Sequence, residues 1–438
     1  MNPYTNAVTK KAIAQGITQL HFHIEDIKKQ ELTTLNGEIE FISASNETLV
    51  LIEGEYNGYI GSAYTEDCDE STIMSLLENI IQTATQNKVP YIEKSIHTLN
   101  VPTNRSIPFN TKEIAEKLIT AEKTARESVK NIEVFRSGLV HHQKTITLVN
   151  SDGKSMSDMV SYFSVSTNIM TKDGEQTQSA RKHMLFESVA DVDLTAFIIK
   201  AAREASQMLN SQPCASGNYK VVLQNNVTAE LFGAFLPAFQ ADKCQNKMSF
   251  LMDKLGDVVS STHFIAYEDP SSLIHRCFDD EGTLTSKKAL INEGKLSNYF
   301  HNNDTGQKAK QQSTGNGFRQ NYNESISSAY TNVVIKIGKD SLTDLIKNTG
   351  SGILITSCDG IFAGVNPTSG DFSVISKGYM IKDGALAEPI SGITIGGTLF
   401  DILSATEECG NDSITINSNT GIVSAPSIRL SSVVVTGV

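Results

Sequence analysis

The 438-residue chain carries 37 basic and 49 acidic residues, a formal net charge of −12, and 39% apolar residues. This balance supports a sizeable core over two or three domains, and it excludes wholesale disorder and a nucleic-acid binder that relies on a broad basic surface. No apolar run approaches the ~18 residues of a membrane span, no charged-then-apolar leader opens the chain, and six scattered cysteines without a CxxC pair suit a reducing, cytoplasmic compartment where free thiols act as small buried hydrophobes.

Residues 5–16 read as a short helix ended by Gly16. Leu20, Phe22 and Ile24 then alternate with His21, His23 and Glu25, the period of a half-buried strand. Further strands are expected at 41–42, 49–52 and 59–64. Asn36-Gly37 and Asn57-Gly58 are the dipeptides that type I′ hairpins prefer. Ile73, Leu76, Leu77, Ile80 and Ile81 make an amphipathic helix stripe, and Ile114, Leu118, Ala121 and Ala125 a weaker one. Between them Val89 to Pro108, with three prolines, reads as a connector.

Strands resume from Glu133 to about Gln178 with a turn at Asn150-Ser151-Asp152-Gly153, and a helix covers Leu194 to Leu209. The densest basic spot, Arg181-Lys182-His183, reads as a solvated turn or strand end. A small, polar stretch with proline and glycine, Ser211 to Gly217, marks a boundary. It separates an N-terminal helix-and-sheet domain, 1–212, from a β-rich domain, 213–438. Tyr219 to Leu223 is expected to be a strand and Val227 to Phe239 a helix. From Asp280 onward β-prone runs dominate, interrupted by one helix near Leu399 to Glu407. Segregated helix and strand blocks predict an α+β fold.

Known catalytic patterns are largely missing. No histidine pair stands at i and i+4 of a helix with a glutamate beside it. His21 and His23 share one strand face without a third ligand signalled nearby, and His141 and His142 point to opposite faces. There is no nucleophile elbow and no phosphate loop. Gly315-Asn316-Gly317 has Gln320 where a dinucleotide fingerprint needs glycine. Asp279-Asp280-Glu281-Gly282 lacks the alternating spacing of a calcium loop and reads as an exposed turn.

Several strings nonetheless recur in a recognisable order. They are Met248-Ser249-Phe250-Leu251 with Lys254-Leu255-Gly256, Asp279-Asp280-Glu281-Gly282, Ile291-Asn292-Glu293-Gly294 and Ser313-Thr314-Gly315-Asn316. They continue with Asn366-Pro367-Thr368-Ser369-Gly370-Asp371-Phe372, Gly378 to Gly384, and Gly410-Asn411-Asp412. In these strings the chain resembles the TldD/PmbA family, metallopeptidase-related proteins once described as modulators of DNA gyrase. The resemblance covers essentially the whole length and is strongest from Asn218 onward.

The TldD branch is similar to a zinc peptidase with HExxxH on a central helix and a cysteine near the C-terminus. In this chain Phe232 and Pro237 align with the two histidines and Gly233 with the glutamate, while the last cysteine is Cys409. No zinc ligand, no base and therefore no catalytic residue is expected in this chain. The pattern resembles the PmbA/TldE branch, which implies a subunit without a metal that pairs with a zinc-bearing TldD-type partner, or with itself when isolated. The assembly would degrade unfolded or small peptides and trim peptide precursors, with no direct nucleic acid and no membrane involved. Two loops are candidates for the peptide-cleft wall: Ser313, Thr314, Gly315, Asn316 and Arg319 in one, Gly364, Asn366 and Gly370 in the other. Two alternatives stay open, a self-sufficient peptidase with an unrecognised site and a regulatory protein acting on a toxin or DNA gyrase.

Overall fold

The alternation at Leu20, Phe22 and Ile24 opens a strand far longer than the alternation itself. After helix α1 (Pro3–Ala14), β1 (Thr18–Leu35) turns at Asn36-Gly37 into β2 (Glu38–Tyr56), which turns at Asn57-Gly58 into β3 (Tyr59–Thr65). All four turn residues have positive φ, as type I′ turns require. This geometry comes from a computed structural model that describes residues 3–67, 69–94, 96–100, 107–322, 324–418 and 421–438. Cys68 and, within the expected connector, residues 95 and 101–106 lie outside the described residues.

Helices α2 (Glu70–Asn87) and α3 (Thr111–Ser128) follow the two apolar stripes. Then come β4 (Ile132–Asn150), β5 (Ser155–Asp173), β6 (Gln176–Phe186) and α4 (Leu194–Gln207). These six strands pair antiparallel in one sheet, in the order β3-β2-β1-β4-β5-β6, and the two-residue strand Leu99–Asn100, inside the expected connector, joins β5 in parallel as a seventh. Helices α1 and α2 cover one end of it around Phe22, Ile52 and Leu77, and α3 and α4 cover the other around Phe135, Phe163 and Ile198.

The second half begins with β7 (Gly217–Leu223), directly followed by α5 (Asn225–Phe235). The helix expected to run to Phe239 instead tightens into a 3-10 turn at Leu236–Phe239. Pro237 lacks the N–H an α-helix would use there. Further on lie β8 (Gly352–Asp359), β9 (Asp371–Lys382), β10 (Ala385–Thr398), α6 (Leu399–Ala405), β11 (Thr406–Ser418) and β12 (Gly421–Thr436). Strand β7 pairs with β8, β8 with β9, β9 with β10, β10 with β12, and β12 returns to β7. Five strands thus close a ring, and Leu231, Phe232 and Phe235 of α5 fill its core with Val221, Ile353, Val423 and Ile428. The architecture is α+β, a helix-covered sheet followed by a β-rich half. Cys214, Cys244, Cys358 and Cys409 are buried, as small hydrophobes would be, and Cys277 is half-buried.

Candidate functional site

A cavity of about 770 Å³ opens between β5 and β6 of the first sheet and α5, β8 and the loop after it in the second half. Helix α5 is set against it by its N-terminus. The Asn225 N–H donates to Ser427 Oγ at 2.9 Å, and Asn226 Nδ2 donates to the Thr356 carbonyl at 3.0 Å. With that anchor, residues four and three apart fall on the open side, so Glu230, Ala234 and Pro237 line the cavity.

The side chains opposite come from β6. Arg181-Lys182-His183 is no solvated turn: it lies within the strand, and Lys182 is buried. Lys182 shares a strand face with Ala180 and Met184, and its Nζ lies 2.8 Å from Glu204 Oε2 of α4. It also donates to the Thr356 carbonyl at 3.2 Å and to Asn226 Oδ1 at 3.4 Å. Lys377 Nζ donates to the Ser179 carbonyl at 2.8 Å, and His183 Nε2 sits 3.3 Å from the Asn417 carbonyl. These contacts join the two halves along one wall.

Glu230 differs from its neighbours. Among the described residues its carboxylate has no hydrogen-bond or ion-pair partner. Burial pushes it up to about 7, with Asp359 adding to the rise and Lys182 and Arg181 opposing it. It can therefore exchange a proton near neutrality or meet a cation brought by a ligand. His142, stacked on Tyr162 at 4.8 Å, is lowered to about 4 chiefly by burial and is neutral at pH 7. Within the cavity, no three metal-ligating atoms converge among the described residues.

The aligned zinc positions divide by direction. Phe232 is buried in the core, with ring centroids 5.3 Å from Phe264 and 5.9 Å from Phe239. Gly233 faces the packed side, where a Cβ would lie 2.6 Å from Ser418 Cβ. Only Pro237 lines the cavity. The helix therefore does not fit zinc: its open face holds a single carboxylate, Phe232 turns a ring without a lone pair into the core, and Gly233 has no room for a side chain.

The two glycine-rich loops also part company. Val365 and Pro367 of the second loop line the cavity. Asn366 organises that loop, its Oδ1 accepting from the Thr368 N–H at 2.9 Å and its carbonyl from the Gly370 N–H at 2.8 Å. Gly370 has φ +85° and packs against the Phe250 ring, and Gly364 runs tightly against the Ser373 carbonyl.

The first loop lies at a second contact between the halves, away from the cavity. Ser313 Oγ and Thr314 Oγ1 donate to the His301 carbonyl at 3.0 and 3.1 Å, and Gly315 at φ +73° passes close to the Leu284 carbonyl. Asn316 is fully buried, with Nδ2 donating to both oxygens of Glu268 at 3.0 Å. Arg319 pairs with Glu53 of β2, and its N–H donates to Asp280 Oδ2 at 2.9 Å.

That seam overturns the exposed-turn reading of Asp279-Asp280-Glu281, because all three are buried. Asp279 accepts from the Gly317, Glu281 and Thr283 N–H groups at 2.8–3.0 Å, Asp280 pairs with Arg276 at 2.9 Å, and Glu281 accepts from the Asn303 N–H at 2.7 Å. Burial would raise Asp280, yet His23, Arg276 and the Arg319 N–H hold it below its usual range. Asp279 is raised by burial and by Glu281, and Glu281 rises to about 7, again chiefly by burial. The expected histidine pair lies close by: His21 Nε2 is 3.0 Å from the Tyr91 hydroxyl and His23 Nε2 is 3.0 Å from Glu25 Oε1. His141 and His142 face opposite sides, stacked on Phe163 and Tyr162.

Sequence reasoning missed Lys182, Glu204 and Glu230. Ala180 and Met184, two residues to either side of Lys182 and so on its strand face, are the signal that would have placed Lys182 inward.

Comparison with known proteins places this geometry in context. Residues 104–209 match the family model of the PmbA/TldA metallopeptidase central domain, and residues 216–437 that of the PmbA/TldA metallopeptidase C-terminal domain. The chain is 24% identical over 380 residues to a Haemophilus influenzae protein named metalloprotease PmbA homolog, covering 84% of this chain and 81% of that one. The crystal structure of TldE from Thermococcus kodakarensis has the same fold, with a TM-score of 0.89 at 22% identity, covering 99% of this chain and 100% of that one. So does a Thermotoga maritima protein described as a candidate modulator of a DNA gyrase, with a TM-score of 0.86 at 23% identity and 99% of both chains covered.

Proposed function

Because the chain belongs to the PmbA/TldD metallopeptidase family, we propose that it is the non-catalytic, PmbA/TldE-like subunit of a zinc peptidase assembly. In this reading it pairs with a TldD-type partner that carries the zinc, and it shapes the cleft through which extended peptides reach that metal. One observation carries the proposal. The face of α5 that meets the cavity presents Glu230, Ala234 and Pro237, so the place where water would be activated has no metal ligand set.

Two further features support it. The cavity lies against β6, the last strand of its sheet, which suits main-chain recognition of an extended peptide. Ile39, Phe41 and Ile42 are exposed on the stretch of β2 beyond the reach of β3, an apolar surface suited to a second subunit. The test is peptide turnover by the chain alone, by a TldD-type partner alone and by the mixture. The chain alone should be inactive, and the mixture active until a chelator is added. Turnover by the chain alone that survives chelator would replace this reading with a self-sufficient hydrolase, in which Glu230 would be the first base to test.

A further inference from the structure

Asp158 is a buried carboxylate in apolar company. It shares the inward face of β5 with Met156 and Val160, lies opposite Ile146 on β4, and is 1% exposed. Buried charges are ordinarily paired or bound to a metal, yet among the described residues no lysine or arginine comes within ion-pair reach of it. What faces it is a loop of the second half. The Cys277 N–H donates to Asp158 Oδ2 at 2.7 Å, and His275 Nδ1 lies 3.9 Å from the same oxygen and 3.5 Å from Cys277 Sγ. The carboxylate, imidazole and thiol atoms all fall within 4.8 Å of one another.

We propose that Asp158, His275 and Cys277 form a zinc site that ties the first sheet to the second half of the chain. Four-coordinate zinc holds sulfur at ~2.3 Å and nitrogen or oxygen at ~2.0–2.2 Å, so neighbouring ligand atoms stand about 3.3–3.6 Å apart. The sulfur–nitrogen separation already has that value, and the nitrogen–oxygen separation needs a shift of a few tenths of an ångström. Charge fits as well: a thiolate and a carboxylate carry two negative charges, which one divalent cation cancels inside the seam. A ligand set of thiolate, imidazole and carboxylate suits zinc better than magnesium or calcium, which take oxygen. His275, 28% exposed, leaves the fourth position to water from the solvent side. The site is separate from α5 and requires no activity of the chain. Asp158 and Cys277 are 119 positions apart, so no spacing rule reveals them.

The test uses the full chain, stripped with chelator and dialysed. Titration with zinc against a chromophoric competitor should give one tight equivalent per chain, and zinc should raise the melting temperature. Cobalt should give a thiolate-to-metal charge-transfer band with the visible bands of a four-coordinate ion. Cys277→Ser should abolish the charge-transfer band, and Cys277→Ser and His275→Gln should each weaken zinc binding at least about tenfold. Circular dichroism checks that each variant is folded, and if one fails to fold the other decides. Absence of the cobalt–thiolate band in the unaltered chain would overturn the proposal. So would a band or affinity unchanged in Cys277→Ser, which would put the metal on another cysteine.

Discussion

Two contacts between the halves of this chain are built on opposite rules. At the seam around Arg319, Glu53 meets both Lys94 and Arg319, Asp280 meets Arg276, and Asp279 and Glu281 are met by backbone N–H groups. At the cavity, Lys182 is tied to Glu204, but Glu230 stands beside about 770 Å³ of open space with no hydrogen-bond or ion-pair partner among the described residues. The first contact gives each of these carboxylates a partner and serves cohesion, although the Nε atoms of Arg276 and Arg319 find no hydrogen-bond partner among the described residues. The second keeps one carboxyl unsatisfied, and departures from local rules of that kind concentrate where a protein binds or reacts.

Removing charge at the seam should have the largest effect. Arg319→Ala leaves buried Glu53 with Lys94 alone and should cost about 3–5 kcal/mol, read as a lower urea midpoint. A loss below about 1 kcal/mol would class the pair with weak surface bridges and erase the contrast. Next comes the packed back of α5. Gly233→Ala brings a methyl to 2.6 Å from Ser418 Cβ and 3.3 Å from Val423 Cγ2, an overpacking cost of about 1–3 kcal/mol. Ala234→Ser, on the cavity side, should stay within about 0.5 kcal/mol. Equal costs at the two positions would mean that the helix is not open on one side.

The smallest effect has the opposite sign. Glu230 has an ordinary value of 4.5 and is raised to about 7 in the fold. The unfolded chain therefore loses this proton first, and the burial penalty on stability grows from pH 4.5 to pH 7 and stays above it. Glu230→Gln should be neutral at pH 4 and stabilise by about 1–2 kcal/mol at pH 8, less than the full shift because the group borders the cavity. Thermal or urea unfolding at the two pH values checks it. A destabilised variant at pH 8 would show that the carboxylate has a partner and that the cavity pairs its carboxylates as the seam does.

How much of this was legible beforehand depended on whether the cause was local. Asn36-Gly37 and Asn57-Gly58 specify their turns by their own backbone freedom, and the stripe from Ile73 to Ile81 specifies a helix by its own spacing. The full length of β1 and β2 was not legible, because residues 25–31 are largely half-exposed and show no strict alternation. The helix Leu342–Thr349 was missed although Ser341 and Asp344 form a capping box at its start, a signal present in the sequence. Asp279 to Glu281 read as a surface turn because the N–H groups of Asn303 and Gly317 that satisfy them come from over 20 residues away. The cavity followed the same logic. The missing histidines on α5 could be read from the sequence, but the turn of the helix that points Glu230 outward and Phe232 inward is set by Ser427 and Thr356, residues that only the fold brings near.

The closed ring of the second half also dictates an order of events during synthesis. Strand β12 pairs with β7, with Val435 opposite Gly217 and Leu430 opposite Val221, so the ring stays open until more than two hundred further residues have been translated. The first sheet, whose strands all lie within residues 18–186 and are joined by short turns except between β3 and β4, can assemble as it leaves the ribosome. While translation continues, α5 with Phe232 and Phe235 waits without its lid, and the nascent chain at that stage is a natural client for chaperones that hold apolar segments.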